Sequence, residues 1–305
     1  MPEVSGLVVF GIILLGGVVG FLSGLFGVGG GFLLVPMLNI AFGVPMNVAV
    51  GSSLCQMIGT ATTATVRHWK ESVVDVKLAL ILLGGTLGGV EIGTMLIQDL
   101  RKLGTAHVFG RDLDWGWLVW IGTFVVILAV IGAGTLVESW RHHRTVADGG
   151  TMPRRVGRGL FNRVNLPPII TCAGTEGKRV PLLLVIFLGF GVGVLKGFIG
   201  VGGGIIFMPT LIYWVGCSTR MAVGTSLIVV VLSSVAGTVS HALRGNVSLA
   251  LVSLLLVSST TGAYFGATFH HRLKPHHVRL YFSLVVLAVL VVILVHMLWT
   301  LVLWG

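Results

Sequence analysis

Apolar residues run along this chain in blocks of about twenty, the length of a helix that crosses a bilayer, separated by brief polar stretches. The pattern predicts spans over Gly6–Phe26, Val28–Val44, Val48–Trp69, Val76–Ile97 and Trp115–Val137 in the first half. After a polar stretch, Glu138–Val180, it predicts Pro181–Ile199, Val201–Val215, Met221–Leu243, Val247–Phe269 and Val278–Leu298. The second segment of each half is short and contains a proline, Pro36 or Pro209. Glu3 stands where a secretory leader would carry Lys or Arg, so the first run is expected to be retained as a span.

The two halves match without a gap at a shift of 173 positions, with about a third of positions 24–93 identical to their partners. Gly27-Val28-Gly29-Gly30-Gly31 falls on Gly200-Val201-Gly202-Gly203-Gly204, Ala49-Val50-Gly51-Ser52-Ser53-Leu54 on Ala222-Val223-Gly224-Thr225-Ser226-Leu227, and His68 on His241. The expected fold is an all-α integral membrane protein of two pseudo-symmetric repeats of about five segments each, with Gly-rich helix breaks at membrane depth. The organisation expected is a first membrane repeat over 1–138, a basic cytoplasmic linker over 139–180 and a second membrane repeat over 181–305. Charge favours inverted repeats with both termini outside. If the short segments cross, the basic loops Arg141–Arg179 and His270–Arg279 share one face, as the positive-inside rule asks; if they are re-entrant, the loops fall on opposite faces.

Composition sharpens this reading. Of 305 residues, 55% are apolar, 10% charged and 45 glycine, and the mean hydropathy is +1.00. Soluble domains are about a quarter charged, so a soluble globular enzyme is excluded. The net charge of +10 fits loops beside anionic lipid and is no signal for nucleic acid. Three widely spaced cysteines, Cys55, Cys172 and Cys217, provide neither a disulfide framework nor a metal clip.

The candidate chemistry lies in the repeated motifs. Four glycines in five residues do not sustain a helix, since each costs up to about 1 kcal/mol relative to Ala. Irregular backbone at membrane depth is tolerated where it is buried in protein or lines a cavity. Gly29, Gly30, Gly31 and their partners Gly202, Gly203, Gly204 therefore predict two backbone breaks whose N–H groups could hold a small anion. A tight turn between packed helices is the structural alternative. Ser52, Ser53, Gln56, Thr225 and Ser226 add uncharged donors, which suit binding weak enough to release; bonding between helices is the alternative use of such groups.

Lys196, one turn before the second break, is an intramembrane cation placed to reach the same site; its partner in the first half is Ser23. Glu91, inside the fourth span, is a candidate for proton coupling, and His68 and His241 are candidate gates at span ends. The glycines at 16, 20 and 24, and at 189, 193 and 197, lie on single helix faces, and close helix packing explains them. The run His270–His277 reads as a basic juxtamembrane loop. No metal site and no cofactor are expected, and no triad, HExxH motif or paired carboxylates point to catalysis.

The paired motifs Ser23–Gly31 with Pro36 and Gly197–Gly204 with Pro209, each followed by Ala-Val-Gly-Ser/Thr-Ser-Leu, resemble the TauE/SafE family of sulfite-exporter-like membrane permeases. The resemblance covers nearly all of the chain outside Glu138–Val180. It implies a multi-pass protein of the inner (plasma) membrane that carries a small sulfur-containing anion such as sulfite or sulfoacetate, driven by a proton or other ion gradient. The expected mechanism is alternating access, and the expected partners are the anion and the lipid bilayer, with a homodimer compatible with both. A passive anion channel and a non-transporting membrane scaffold that docks a partner through its basic loop are the alternatives.

Overall fold

A computed structural model describes residues 6–69, 74–100, 104–108, 111–147, 161, 166–171, 179–200, 202–270 and 272–299. Ten helices follow the ten apolar segments: α1 Gly6–Phe26, α2 Gly31–Phe42, α3 Met46–Trp69, α4 Val76–Leu100, α5 Trp115–Ala147, α6 Leu182–Ile199, α7 Gly204–Thr210, α8 Thr219–Ala242, α9 Leu249–His270 and α10 Pro275–Leu298. A π-helical turn, Leu211–Val215, continues α7. Two short hairpins, β1 Thr105–Val108 with β2 Arg111–Asp114 and β3 Ile169–Thr171 with β4 Arg179–Pro181, complete the described secondary structure. Most of the basic linker, Cys172 and Val201 lie outside the described residues.

Seven of the described helices are long and apolar enough to cross a bilayer. The α3 helix is long but carries more polar side chains, and α2, with 12 residues, rises only about 18 Å against a hydrocarbon core of about 30 Å. Ten full-length crossing helices are therefore not what the segments form. The short segments are instead the return arms that follow each break.

By contact the chain divides into two compact units, Met1–Thr94 with Arg154–Leu273, and Met95–Pro153 with Lys274–Gly305. In the smaller unit α5 packs along α10, where Gly132 lets Leu287 and Val286 approach. Trp120 is buried there against Phe124, with ring centroids 5.4 Å apart.

In the larger unit, the small-residue stripes set the packing. A Cβ at Gly20 would land on the Ser259 backbone and one at Gly24 on the Ala263 carbonyl, so α1 and α9 touch backbone to backbone. The same contacts recur 173 residues on: Gly193 meets the Thr86 backbone and Gly197 the Val90 carbonyl, between α6 and α4. Residue numbers rise together along both pairs, so α1 runs parallel to α9, and α6 to α4. The α3 helix also runs with α9, since Ser52 meets Ser248 and Gly59 meets Leu256 and Thr260. Against α8 it runs antiparallel, with Gly51 at His241 and Leu54 at Gly237. Because α1 and α3 share one direction, the chain between them must return, and α2 carries it back from beside Val19 at Gly30 to Gly11 at Phe42.

Candidate functional site

Both breaks form where the sequence places them, and the backbone explains their composition. Gly27, Gly29 and Gly30 have φ of +70°, +82° and +82°, and Gly200, Gly202 and Gly203 have +75°, +80° and +73°. These left-handed values are routine only for glycine. The α1 helix ends with the Gly27 N–H donating to the Ser23 carbonyl at 2.8 Å, and α6 ends with Gly200 N–H donating to Lys196 at 2.8 Å. Gly31 and Gly204 then open the return helices α2 and α7.

The breaks pack against each other in the middle of the unit. A Cβ at Gly204 would lie 2.5 Å from the Val28 Cα, and one at Gly202 would meet the Val28 carbonyl at 3.0 Å and the Met57 sulfur at 2.6 Å. Val230 closes over Gly29 from α8. In this conformation the two Gly motifs are thus in contact, and a ligand between them requires them to part.

The repeated hydroxyls tie each half to the other. Ser226 Oγ donates to the Gly27 carbonyl at 3.0 Å and Ser53 Oγ lies 3.4 Å from the Gly200 carbonyl, while both also face carbonyls one turn back, Val223 and Val50. Thr225 Oγ1 accepts the Asp75 N–H at 3.0 Å just before α4, and Ser52 Oγ accepts the Ser248 N–H at 3.1 Å just before α9. All four side chains are fully buried. Each bond has its counterpart 173 residues away, so the exchange is reciprocal. Each hydroxyl of Ser53 and Ser226 has a single hydrogen and two carbonyls to receive it, the nearer one turn back on its own helix, which leaves its lone pairs to a further partner.

Lys196 is fully buried, and all three of its partners are neutral: Val230 carbonyl at 3.1 Å, Ser233 Oγ at 2.6 Å and Ser234 Oγ at 2.9 Å. Three acceptors match the three donors of an ammonium group. Among the described residues no carboxylate pairs with it, so its hydrogen bonds are met while an ammonium there has no counter-charge. An uncompensated buried charge is costly and defaults to function in a membrane. Its cradle residue Val230 is the one that covers Gly29, which joins the cation to the first break.

On α3, Gln56 is also fully buried, and its Nε2 lies 3.5 Å from Thr60 Oγ1. Glu91 does not stand alone: it pairs with Arg244 and accepts from Ser240 Oγ at 2.6 Å, and Arg244 donates back to the Ser240 carbonyl at 2.8 Å. His241 holds the Gly197 carbonyl through Nε2 at 3.2 Å, beside the second break. His68 meets His270 edge-on with ring centroids 5.0 Å apart, and His270 Nδ1 lies 2.6 Å from the Leu25 carbonyl at the end of α1. Arg244, Ser240 and His270 were not singled out as site residues from sequence; each partners a candidate far away in the chain, and only the fold brings them together. A separate groove of about 880 Å³ on the face of α1 and α9 is lined by apolar and small residues such as Phe21, Val257 and Ser258 and holds none of the candidate polar groups.

Apolar helices of membrane length around paired backbone breaks define a multi-pass α-helical membrane protein. The chain belongs to the TauE/SafE family: the family described as Sulfite exporter TauE/SafE matches residues 12–293. It is 26% identical over 270 residues to the probable membrane transporter protein YunE of Bacillus subtilis, covering 86% of this chain and 89% of that protein. It is 29% identical over 286 residues to a probable membrane transporter protein of Xylella fastidiosa, covering 92% of each. A probable membrane transporter protein of Methanocaldococcus jannaschii, MJ0441, is 24% identical over 292 residues, covering 89% and 90%. No solved structure matches the chain.

Proposed function

We propose that this protein is a secondary transporter for a small sulfur-containing anion such as sulfite or sulfoacetate, working by alternating access in the inner (plasma) membrane and coupled to an ion gradient. The observation that carries the reading is Lys196, buried with neutral partners only among the described residues, whose Nζ donates to the carbonyl of Val230, the α8 residue whose side chain covers Gly29 of the first break. An anion entering between the breaks supplies the missing charge. The family and the names of the relatives support transport, and the sulfur anion follows from the family description.

The reciprocal bonds suggest how binding drives movement. Ser53 and Ser226 can donate to an anion only by turning away from the carbonyls they now face, those of Gly200 and Gly27 among them, so occupying the site loosens the contact between the breaks. The antiparallel run of α3 and α8, partners at the shift of 173, fits inverted repeats rocking against one another. The Glu91–Arg244 pair and the His68–His270 contact are candidate gates, one joining α4 to the end of α8 and one joining α3 to the end of α9.

Uptake of radiolabelled sulfite, sulfoacetate, thiosulfate and taurine into proteoliposomes, with and without an imposed proton or sodium gradient, tests the proposal. Saturable, gradient-dependent uptake of a sulfur anion is the expected result. Uptake of none of the four removes the sulfur-anion reading, and unsaturable current without coupled flux makes the protein a channel.

A further inference from the structure

The larger unit builds one cradle twice and fills it in two ways. In the second half the Lys196 ammonium rests on the Val230 carbonyl and the Ser233 and Ser234 hydroxyls. A shift of 173 carries these groups to Ser23, to the Met57 carbonyl, to Thr60 and to Ala61. The backbones correspond, since Ser23 and Lys196 each accept the N–H that ends their helix, from Gly27 and Gly200. The neighbouring helices correspond as well, through the reciprocal contacts of Gly27 with Val223 and Gly200 with Val50. The first cradle therefore has a carbonyl and a hydroxyl in the places that hold an ammonium in the second, but Ser23 is too short to fill it.

Two unpaired oxygens belong to the residues that flank it on α1 and α3. Ser23 Oγ and Gln56 Oε1 are both fully buried and have no hydrogen-bond partner among the described residues. Unpaired buried oxygens are rare and call for an occupant. Gln56 Nε2 approaches Thr60 Oγ1, the counterpart of the Ser233 hydroxyl, at 3.5 Å, and so long a contact leaves its amide free to turn. The region supplies oxygens and no charge of its own, the donor set of a hard monovalent cation.

We propose that a sodium-like monovalent cation binds between α1 and α3 at Ser23 Oγ, Gln56 Oε1, Thr60 Oγ1 and the Met57 carbonyl, in the position that the Lys196 ammonium occupies in the other half. The protein then holds one fixed and one exchangeable positive charge, on either side of the paired breaks. Binding itself does not depend on the transport reading. If that reading holds, the cation is the coupling ion, and an anion between the breaks is favoured by both charges.

The thermal unfolding midpoint of the purified full-length protein, measured in gluconate salts at constant ionic strength as choline is replaced by sodium, lithium or potassium, tests the site without any sulfur anion present. A ligand that binds the folded state raises the midpoint with concentration and then saturates. Wild type is expected to show this with sodium. Gln56→Leu and Thr60→Val, both close in volume to the residues they replace, are expected to lose the shift or to move its half-saturating concentration up by about tenfold or more. Ser23→Lys, which installs the ammonium of the other half, is expected to make the midpoint independent of sodium; if it does not fold, the other two variants carry the test. A wild-type midpoint indifferent to all three metal ions, as a site holding water alone would give, overturns the proposal. So does an undiminished sodium shift in both Gln56→Leu and Thr60→Val. Failure of anion uptake with an intact sodium shift overturns the transport reading alone.

Discussion

The two helix breaks have the same backbone and opposite chemistry. Each ends a helix with a left-handed glycine, each is gripped by a serine from the other half, and each packs against its counterpart. Beside the first, however, stand Ser23 and Gln56, neutral and with an unpaired oxygen apiece among the described residues; beside the second stands Lys196, with every donor satisfied and no counter-charge among those residues. The correspondence at 173 residues thus describes the geometry of the site, and the departure from it describes its chemistry. The proposed anion transport calls on both: paired breaks that can part, and an electrostatic reason to enter.

The sharpest way to break this comparison is to remove the charge. Lys196→Met is expected to lower uptake by roughly 100-fold, the scale of losing one desolvated charge partner worth about 3 kcal/mol, with little loss of folding because the apolar stem is kept. A second test separates packing from chemistry. Gly197→Ala would drive a Cβ into the Val90 carbonyl and is expected to destabilise the protein by about 1–3 kcal/mol in a thermal or denaturant assay. Gly191→Ala, on the same helix with nothing within 4 Å, is the control, expected to be neutral or to stabilise by up to about 1 kcal/mol.

The grips on the two breaks differ in strength and so refine the comparison. Ser226→Ala removes a bond of 3.0 Å and is expected to cost about 1 kcal/mol of stability, whereas Ser53→Ala removes one of 3.4 Å and is expected to cost less. Hydrogen exchange at the breaks should accordingly rise more at Gly27–Gly30 than at Gly200–Gly203. The smallest effect is expected at the Glu91–Arg244 pair. Glu91→Gln keeps the shape but not the charge and should change stability by less than about 1 kcal/mol, while altering the rate of anion exchange if the pair acts as a gate.

Much of this was legible along the chain. Runs of apolar residues placed all ten helices, since lipid imposes one composition on every span. The breaks were legible because a cluster of glycines is costly in a helix and cheap at positive φ. Lys196 stood out because a charge at membrane depth is rare. Helix ends were less legible: α4 continues to Leu100 and α5 to Ala147, where polar residues sustain helical geometry after the apolar pattern has stopped. The partners were least legible of all. Nothing in the local pattern joins Glu91 to Arg244, 153 positions away, or His68 to His270, because such pairs are set by the packing of whole helices. The hydroxyls Ser52, Ser53, Thr225 and Ser226 were recognisable as a recurring set, but that each binds backbone of the opposite half follows only from the interlocked halves. The hairpins β1–β2 and β3–β4 carry strands of three or four residues, too short for a period to register.

The central claim is that the buried Lys196 charge is answered by the transported anion. Its most direct test is calorimetric binding of sulfite, sulfoacetate and thiosulfate to purified wild type, Lys196→Arg and Lys196→Met. The account predicts saturable binding of at least one anion to wild type, retained in part by Arg and lost in Met at unchanged folding. Equal affinity in wild type and Lys196→Met would contradict it.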